Sequence, residues 1–225
     1  MLRKTLLSIL LLAATASLSA QEEPEYRAEI GGGIGLVAYE GDFNGSLLKN
    51  MQPMFTLLGR YKLNPRMALA LNVSYGTIKG SSKDADTYYP NLPEMDFSHG
   101  LVDVGVRYEY NFWPYGTGKE YRGAQHLTPY IHIGMGATFV KPEKTEIAFN
   151  LPIGAGIKYK IGDRTNLGLE WTMQFSNSDM LDGVADPYGI KSSGLFKNTD
   201  CYSHLRLSLT YDIWAKCKIC NNDRD

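Results

Sequence analysis

Leu205-Arg-Leu-Ser-Leu-Thr-Tyr-Asp-Ile213 is the stretch that decides the fold. Apolar residues hold positions 205, 207, 209, 211 and 213, while Arg206, Ser208, Thr210 and Asp212 alternate with them. Successive side chains of a strand point to opposite faces, so this segment has one greasy face and one charged face. A single such strand fits any half-buried sheet. Here the pattern returns about eight times along the chain, with glycines and charges gathered on the polar side. That repetition is what a transmembrane β-barrel requires, with lipid outside and a polar lumen inside.

Working back from this segment, the alternation predicts strands near Tyr26–Tyr39, Met54–Leu63, Met67–Ile78, Leu101–Phe112, Pro129–Val140, Phe149–Ile161 and Asn166–Ser176. Leu101–Phe112 is the clearest of these. Val102, Val104, Val106, Tyr108, Tyr110 and Phe112 share one face, and Asp103, Arg107, Glu109 and Asn111 share the other. The lengths match the roughly 9–11 residues of a tilted membrane strand. The expected fold is therefore all-β: an eight-stranded antiparallel transmembrane outer-membrane β-barrel with a filled lumen. Gly31-Gly-Gly-Ile-Gly35 has neither the spacing nor the following helix of a dinucleotide loop. It reads instead as relief of crowding inside a narrow barrel.

The leader and the loops set the compartment. Arg3 and Lys4 precede an apolar run, Leu6–Ala14, and small residues follow it. This predicts a signal peptide over 1–20, a barrel over 21–214 and a periplasmic tail over 215–225. No later run of about 18 apolar residues exists, so any crossing must be made by strands. Lys and Arg total 23 against 24 Asp and Glu, a balance that gives nucleic acid no basic patch. Asn64-Pro65 and Gly162–Arg164 make short turns, and 79–96 and 178–198 make long loops. Outer-membrane barrels keep short turns in the periplasm, which predicts periplasmic termini and contact with outer-membrane lipid. The connection 113–127 falls on the termini side and is longer than the pattern asks, which marks it as a candidate contact surface. Tyr61, Tyr110, Phe112, Trp113, Tyr159, Tyr211 and Trp214 cluster toward that side, as headgroup-level aromatics do.

The inward positions include Arg27, Glu29 and Lys62 and a charge network of Arg60, Asp103, Arg107, Glu109, Lys158, Lys160, Glu170, Arg206 and Asp212. Eight strands enclose just enough room for side chains to fill the interior. Mixed charges there predict a salt-bridged plug rather than an open pore.

No catalytic, cofactor or metal site is expected. Ser98-His99 and Ser203-His204 are adjacent in sequence and so point to opposite faces of their strands. Small outer-membrane barrels that deacylate lipid use a Ser, a His and an acid; a trio such as Ser203, His132 and Glu170 is open to this sequence, though no spacing supports it. Cys217-x-x-Cys220 is half a zinc motif, with no second pair. It lies in the segment Lys216, Cys217, Lys218, Ile219, Cys220, Asn221, Asn222 beyond the last strand. A local disulfide, an intermolecular link to a partner and free thiols all fit it.

Leu151-Pro-Ile-Gly-Ala-Gly-Ile-Lys-Tyr-Lys160, Asn166-Leu-Gly-Leu-Glu-Trp171, Asp179-Met-Leu-Asp-Gly183 and Asn198-Thr-Asp-Cys-Tyr-Ser-His-Leu205, with the Lys216–Asn222 tail, resemble the PorG-like outer-membrane proteins of the Bacteroidetes. These motifs lie within about 150–222, and the N-terminal half is similar only as generic barrel strands. The resemblance implies a non-enzymatic barrel associated with type IX protein secretion. It also implies a periplasmic partner like the ring of the lipoprotein PorK and the protein PorN. In that case Lys216, Cys217, Lys218, Cys220, Asn221 and Asn222 would face the partner, and Asp179–Gly183 would form a shaped loop. Two other readings stand beside this scaffold: a passive OmpX/OmpA-like barrel with ligand-binding surface loops, and a lipid-modifying barrel enzyme.

Overall fold

The computed structural model describes residues 26–40, 50–81, 96–116, 124–141, 146–178 and 201–215. These form eight strands: β1 (Tyr26–Glu40), β2 (Gln52–Asn64), β3 (Met67–Ser81), β4 (Asp96–Asn111), β5 (Leu127–Val140), β6 (Glu146–Lys160), β7 (Thr165–Ser176) and β8 (Cys201–Ala215). Each pairs antiparallel with the next, and β8 returns to β1 to close the barrel. The closing register runs from Tyr26↔Ala215 to Glu40↔Cys201. A closed sheet satisfies every backbone donor and acceptor without water, the condition a bilayer imposes.

The strands run from 12 to 16 residues, longer than the sequence pattern predicts. The excess sits mainly at one end. β3 continues to Ser81, and β4 begins at Asp96 rather than Leu101, with Ser81 opposite Asp96. The outward residues here are polar (Lys79, Asp96, Ser98), so hydrophobic alternation stops while backbone pairing continues. Ladder hydrogen bonds need no greasy face, and the wall extends past the apolar band.

The chain folds into a barrel with two unlike ends. At the termini end, 65–66, 112–126 and 161–164 join strand pairs. At the opposite end, here the loop end, lie 41–51, 82–95, 141–145 and 177–200. The outer wall between them is apolar and exposed, with Leu57 at 70% and Met135 at 74%. Phe55, Tyr75 and Phe149 project outward toward the loop end, and Tyr61, Phe112, Tyr159, Tyr211 and Trp214 toward the termini end. On β6, Phe149 and Tyr159 stand about 33 Å apart along the strand, or about 25 Å in height at a 40° tilt. That height matches the apolar band of an outer-membrane barrel.

Trp214 reaches this belt by an exception to the alternation. Asp212 faces inward, so position 214 would too. Its backbone instead takes a left-handed φ of 62°, and the indole is 63% exposed. The ring packs edge-on against outward-facing Tyr61, with centroids 6.2 Å apart.

Candidate functional site

The lumen is packed in tiers. The lowest, at the termini end, centres on Asp212 of β8. Lys62 Nζ lies 2.5 Å from its Oδ1, and Lys160 Nζ lies 2.6 Å from its Oδ2. Asn166 Nδ2 donates to the same carboxylate at 3.1 Å. Below this tier the described ends of the β4–β5 connection, 112–116 and 124–126, come together. Tyr115 N donates to Pro65 O, Gln125 N donates to Pro114 O, and the Tyr115 hydroxyl donates to Asn166 Oδ1 at 2.8 Å. Burial first, then the negative charges of Glu29 and Asp212, hold the Tyr115 phenol above its ordinary pKa, so it stays a proton donor. The described part of 113–127 is thus a floor to the barrel. A buried tyrosine inside a polar connection is a signal the alternation rule does not read.

The second tier is built on Arg60. Its guanidinium lies 2.5 Å from Glu29 Oε1 and 2.9 Å from Glu109 Oε2. Lys158 Nζ joins Glu109 at 2.5 Å and sits 4.2 Å from the Tyr130 ring centroid. Lys62 also reaches Glu29, at 3.5 Å, and Thr210 donates a short hydrogen bond to the same carboxylate.

The third tier converges on Glu170. Arg107 Nη1 and Arg206 Nη2 approach its Oε1 at 2.7 and 2.6 Å. The Tyr130 hydroxyl donates to Oε2 at 2.6 Å, and Thr172 donates to Oε1 at 3.0 Å. His132 Nδ1 lies 3.8 Å from Oε2, and His204 Nε2 lies 3.4 Å from Arg107 Nη2. Both arginines are 1% exposed. Charges this deeply buried persist only when paired and hydrogen-bonded.

Asp103 stands apart in a fourth tier. Its partners are neutral donors: Asn150 at 2.7 Å, the Tyr202 hydroxyl at 3.0 Å and Thr138 at 3.4 Å. Above it an apolar layer closes the loop end, made of Val37, Tyr39, Met54, Ile78, Leu101, Val140, Ala148 and Tyr202, with Phe97 packed against it. Hydrophobic residues on inward positions at that end interrupt the charge pattern, and the Tyr39 and Phe97 rings meet edge-on at 4.9 Å.

Large side chains fit here because many of them face glycines. Arg107 lies opposite Gly134, His132 opposite Gly154, Tyr130 opposite Gly156 and Arg206 opposite Gly35. Each glycine gives up the volume that its cross-strand neighbour occupies.

All nine residues of the charge network expected from sequence lie in the lumen. Eight join ion pairs, and Asp103 is held by neutral groups. The alternation also points Tyr130, Asn150, Asn166 and Tyr202 inward, where they complete the tiers. The Ser203, His132, Glu170 trio is not assembled. Ser203 is paired with Met173 and Ala38 on the outward parity, whereas His132 and Glu170 meet inside. Lys216, Cys217, Lys218, Cys220, Asn221 and Asn222 lie outside the described residues, as do Asp179–Gly183 and the segment 1–20.

A lumen filled in this way is expected to pass no steady current. Planar-bilayer recordings of the purified barrel check this, and stable open channels at ordinary ionic strength would refute the plug.

Comparison with known proteins follows the same lines. The profile of the outer membrane protein beta-barrel domain matches residues 6–192. Neisserial surface protein A has a similar solved structure, with a TM-score of 0.50 at 11% identity, covering 83% of this chain and 97% of that one. The outer membrane protein OprG from Pseudomonas aeruginosa is similar too, with a TM-score of 0.51 at 11% identity, covering 87% of this chain and 100% of that one. At such identities the likeness is one of fold. No curated protein matches the chain.

Proposed function

We propose, for a chain that belongs to the outer membrane protein beta-barrel domain family, a role as a non-enzymatic anchor that organises a protein assembly at the bacterial outer membrane. The observation that carries this reading is the filled lumen. Paired charges, an apolar layer and the Tyr115 floor occupy the interior of the described barrel. Work must then be done at the rims. The short turns lie with both ends of the barrel, which supports periplasmic termini. With that orientation, the chain that follows β8 would meet periplasmic proteins. The resemblance of the 150–222 motifs to PorG-like proteins favours a partner of the PorK and PorN kind and a place in type IX secretion.

The second reading is a passive barrel of the OmpX/OmpA kind. The long connections 41–51, 82–95 and 177–200 at the loop end favour it, since such loops carry ligand contacts on a rigid wall.

Deleting 216–225 separates the two. The tagged full-length protein, extracted gently with thiols blocked, is expected to bring down one periplasmic protein or lipoprotein in stoichiometric amount. The deletion is expected to lose that protein while the barrel still folds. An unchanged pull-down, or no partner at all with full-length protein, would leave the passive barrel as the better account.

A further inference from the structure

The outer wall carries a groove of about 750 Å³, and the strand register explains its shape. Leu167, Leu209, Gly32, Leu57 and Val73 are successive cross-strand partners from β7 to β3. Leu207, Ile34, Phe55, Tyr75 and Val102 are successive partners from β8 to β4, one step closer to the loop end. Each row crosses four inter-strand gaps, about 19 Å, and the rows lie about 7 Å apart along the strands. The groove runs between them across the strands. With strands tilted by about 40°, it is inclined about 50° to the membrane normal.

Gly32 sits in the middle of the lower row and opens it. The three neighbouring glycines of β1 have a packing reason to be glycine. A Cβ at Gly31, Gly33 or Gly35 would run into the β8 backbone at the carbonyl oxygens of Leu209, Leu207 and Leu205. At Gly32 a Cβ would meet only the Thr56 carbonyl oxygen, 3.3 Å away. Closure of the barrel does not demand a glycine there. What the missing side chain preserves is the gap between Ile34, Leu57 and Leu209.

We propose that this groove is a binding site for one acyl chain of a membrane lipid. The lining is apolar along its whole length, so it offers a partner no polar anchor and a hydrocarbon chain everything it needs. The groove runs obliquely down the apolar band, from Tyr75 and Val102 toward the loop end to Leu167, the cross-strand partner of the termini-end aromatic Tyr159. A chain lying in it passes residues of six strands, β7, β8 and β1 to β4, more than an upright annular lipid touches. A second copy of the barrel fits less well, because two convex walls of closed barrels meet only along a line.

The test is native mass spectrometry of the full-length protein released from its own membrane in mild detergent. Wild type is compared with Gly32→Leu and with Gly59→Leu. Gly59 also faces outward, with open space around it and no part in the groove, so it is the matched control. Heat-modifiable migration on gels confirms that each variant is a closed barrel. Wild type and Gly59→Leu are expected to carry one lipid, and Gly32→Leu to retain it several-fold less, because the added side chain fills the gap in which the acyl chain makes its van der Waals contacts. Lipid-free wild type, or equal retention in Gly32→Leu, would overturn the site. A wild-type dimer that Gly32→Leu dissociates would give the groove to a second copy instead.

Discussion

Glu170→Ala is expected to destabilise the barrel more than any other single change among the lumen charges. The carboxylate holds Arg107 and Arg206 together, at 2.7 and 2.6 Å, and accepts from Tyr130 and Thr172. Without it, two guanidinium groups at 1% exposure lose the carboxylate that contacts both of them, beside His204. Breaking a buried pair in this way typically costs about 3–5 kcal/mol. Arg60→Ala makes the instructive comparison. It also removes a charge from two ion pairs, but Glu29 keeps Lys62 and Thr210, and Glu109 keeps Lys158. Its cost should be clearly smaller. Glu170→Gln should fall between wild type and Glu170→Ala, since an amide oxygen still accepts hydrogen bonds but brings no charge. Urea unfolding in lipid vesicles, followed by tryptophan fluorescence, measures all three. If Glu170→Ala lost less than about 1 kcal/mol, or no more than Arg60→Ala, the tier would not be the charge-balanced unit described here.

The second large effect is expected at a residue with no side chain. Gly134 of β5 lies opposite Arg107. A Cβ there would overlap the Val106 carbonyl oxygen and come within 2.8 Å of the Arg107 Cα. Both obstacles are backbone of β4, which cannot turn aside as a flexible side chain can. Gly134→Val should therefore block β4–β5 pairing at mid-barrel and leave little closed protein. The readout is the fraction that migrates as the compact, heat-modifiable form after refolding into vesicles. Gly59→Val, where an added Cβ meets nothing within 4 Å, should refold like wild type. Equal refolding of the two variants would mean that the close approach at Gly134 is not what holds the strands together.

The fold was legible because a barrel writes its two faces into every strand. Parity alone assigns Arg107, Glu170 and Arg206 to the same interior, although they are far apart in sequence. It fails at the ends, where the physics changes. Ser81 and Asp96 still pair when no apolar residue marks a strand, because a ladder needs only backbone groups. Tyr115 and Trp214 break the pattern in opposite senses. One is an aromatic in a polar connection that turns inward, and the other an inward position that a left-handed backbone swings out. Parity also says which residues share the lumen but not which tier each occupies. That Asp103 is held by neutral hydrogen-bond donors rather than in an ion pair depends on register, and register is set by the turns as well as by alternation. The Ser203 trio illustrates the converse. Once β8 is in register, the same parity that gathers the charges places that hydroxyl on the opposite face from His132 and Glu170.

The pairing of β1 with β8 makes the first strand wait for the last. Contacts from Tyr26↔Ala215 to Glu40↔Cys201 join opposite ends of the described chain, so the loop they close is nearly the whole sequence. Until Cys201–Ala215 arrives, any partial sheet has two raw edges whose amides and carbonyls have no partner in hydrocarbon. Such a sheet cannot enter a bilayer one hairpin at a time. Insertion becomes a single concerted event, timed by the arrival of the final fifteen-residue strand. A nascent chain that stops short of that strand has a wall but no seam, and no stable address in the membrane.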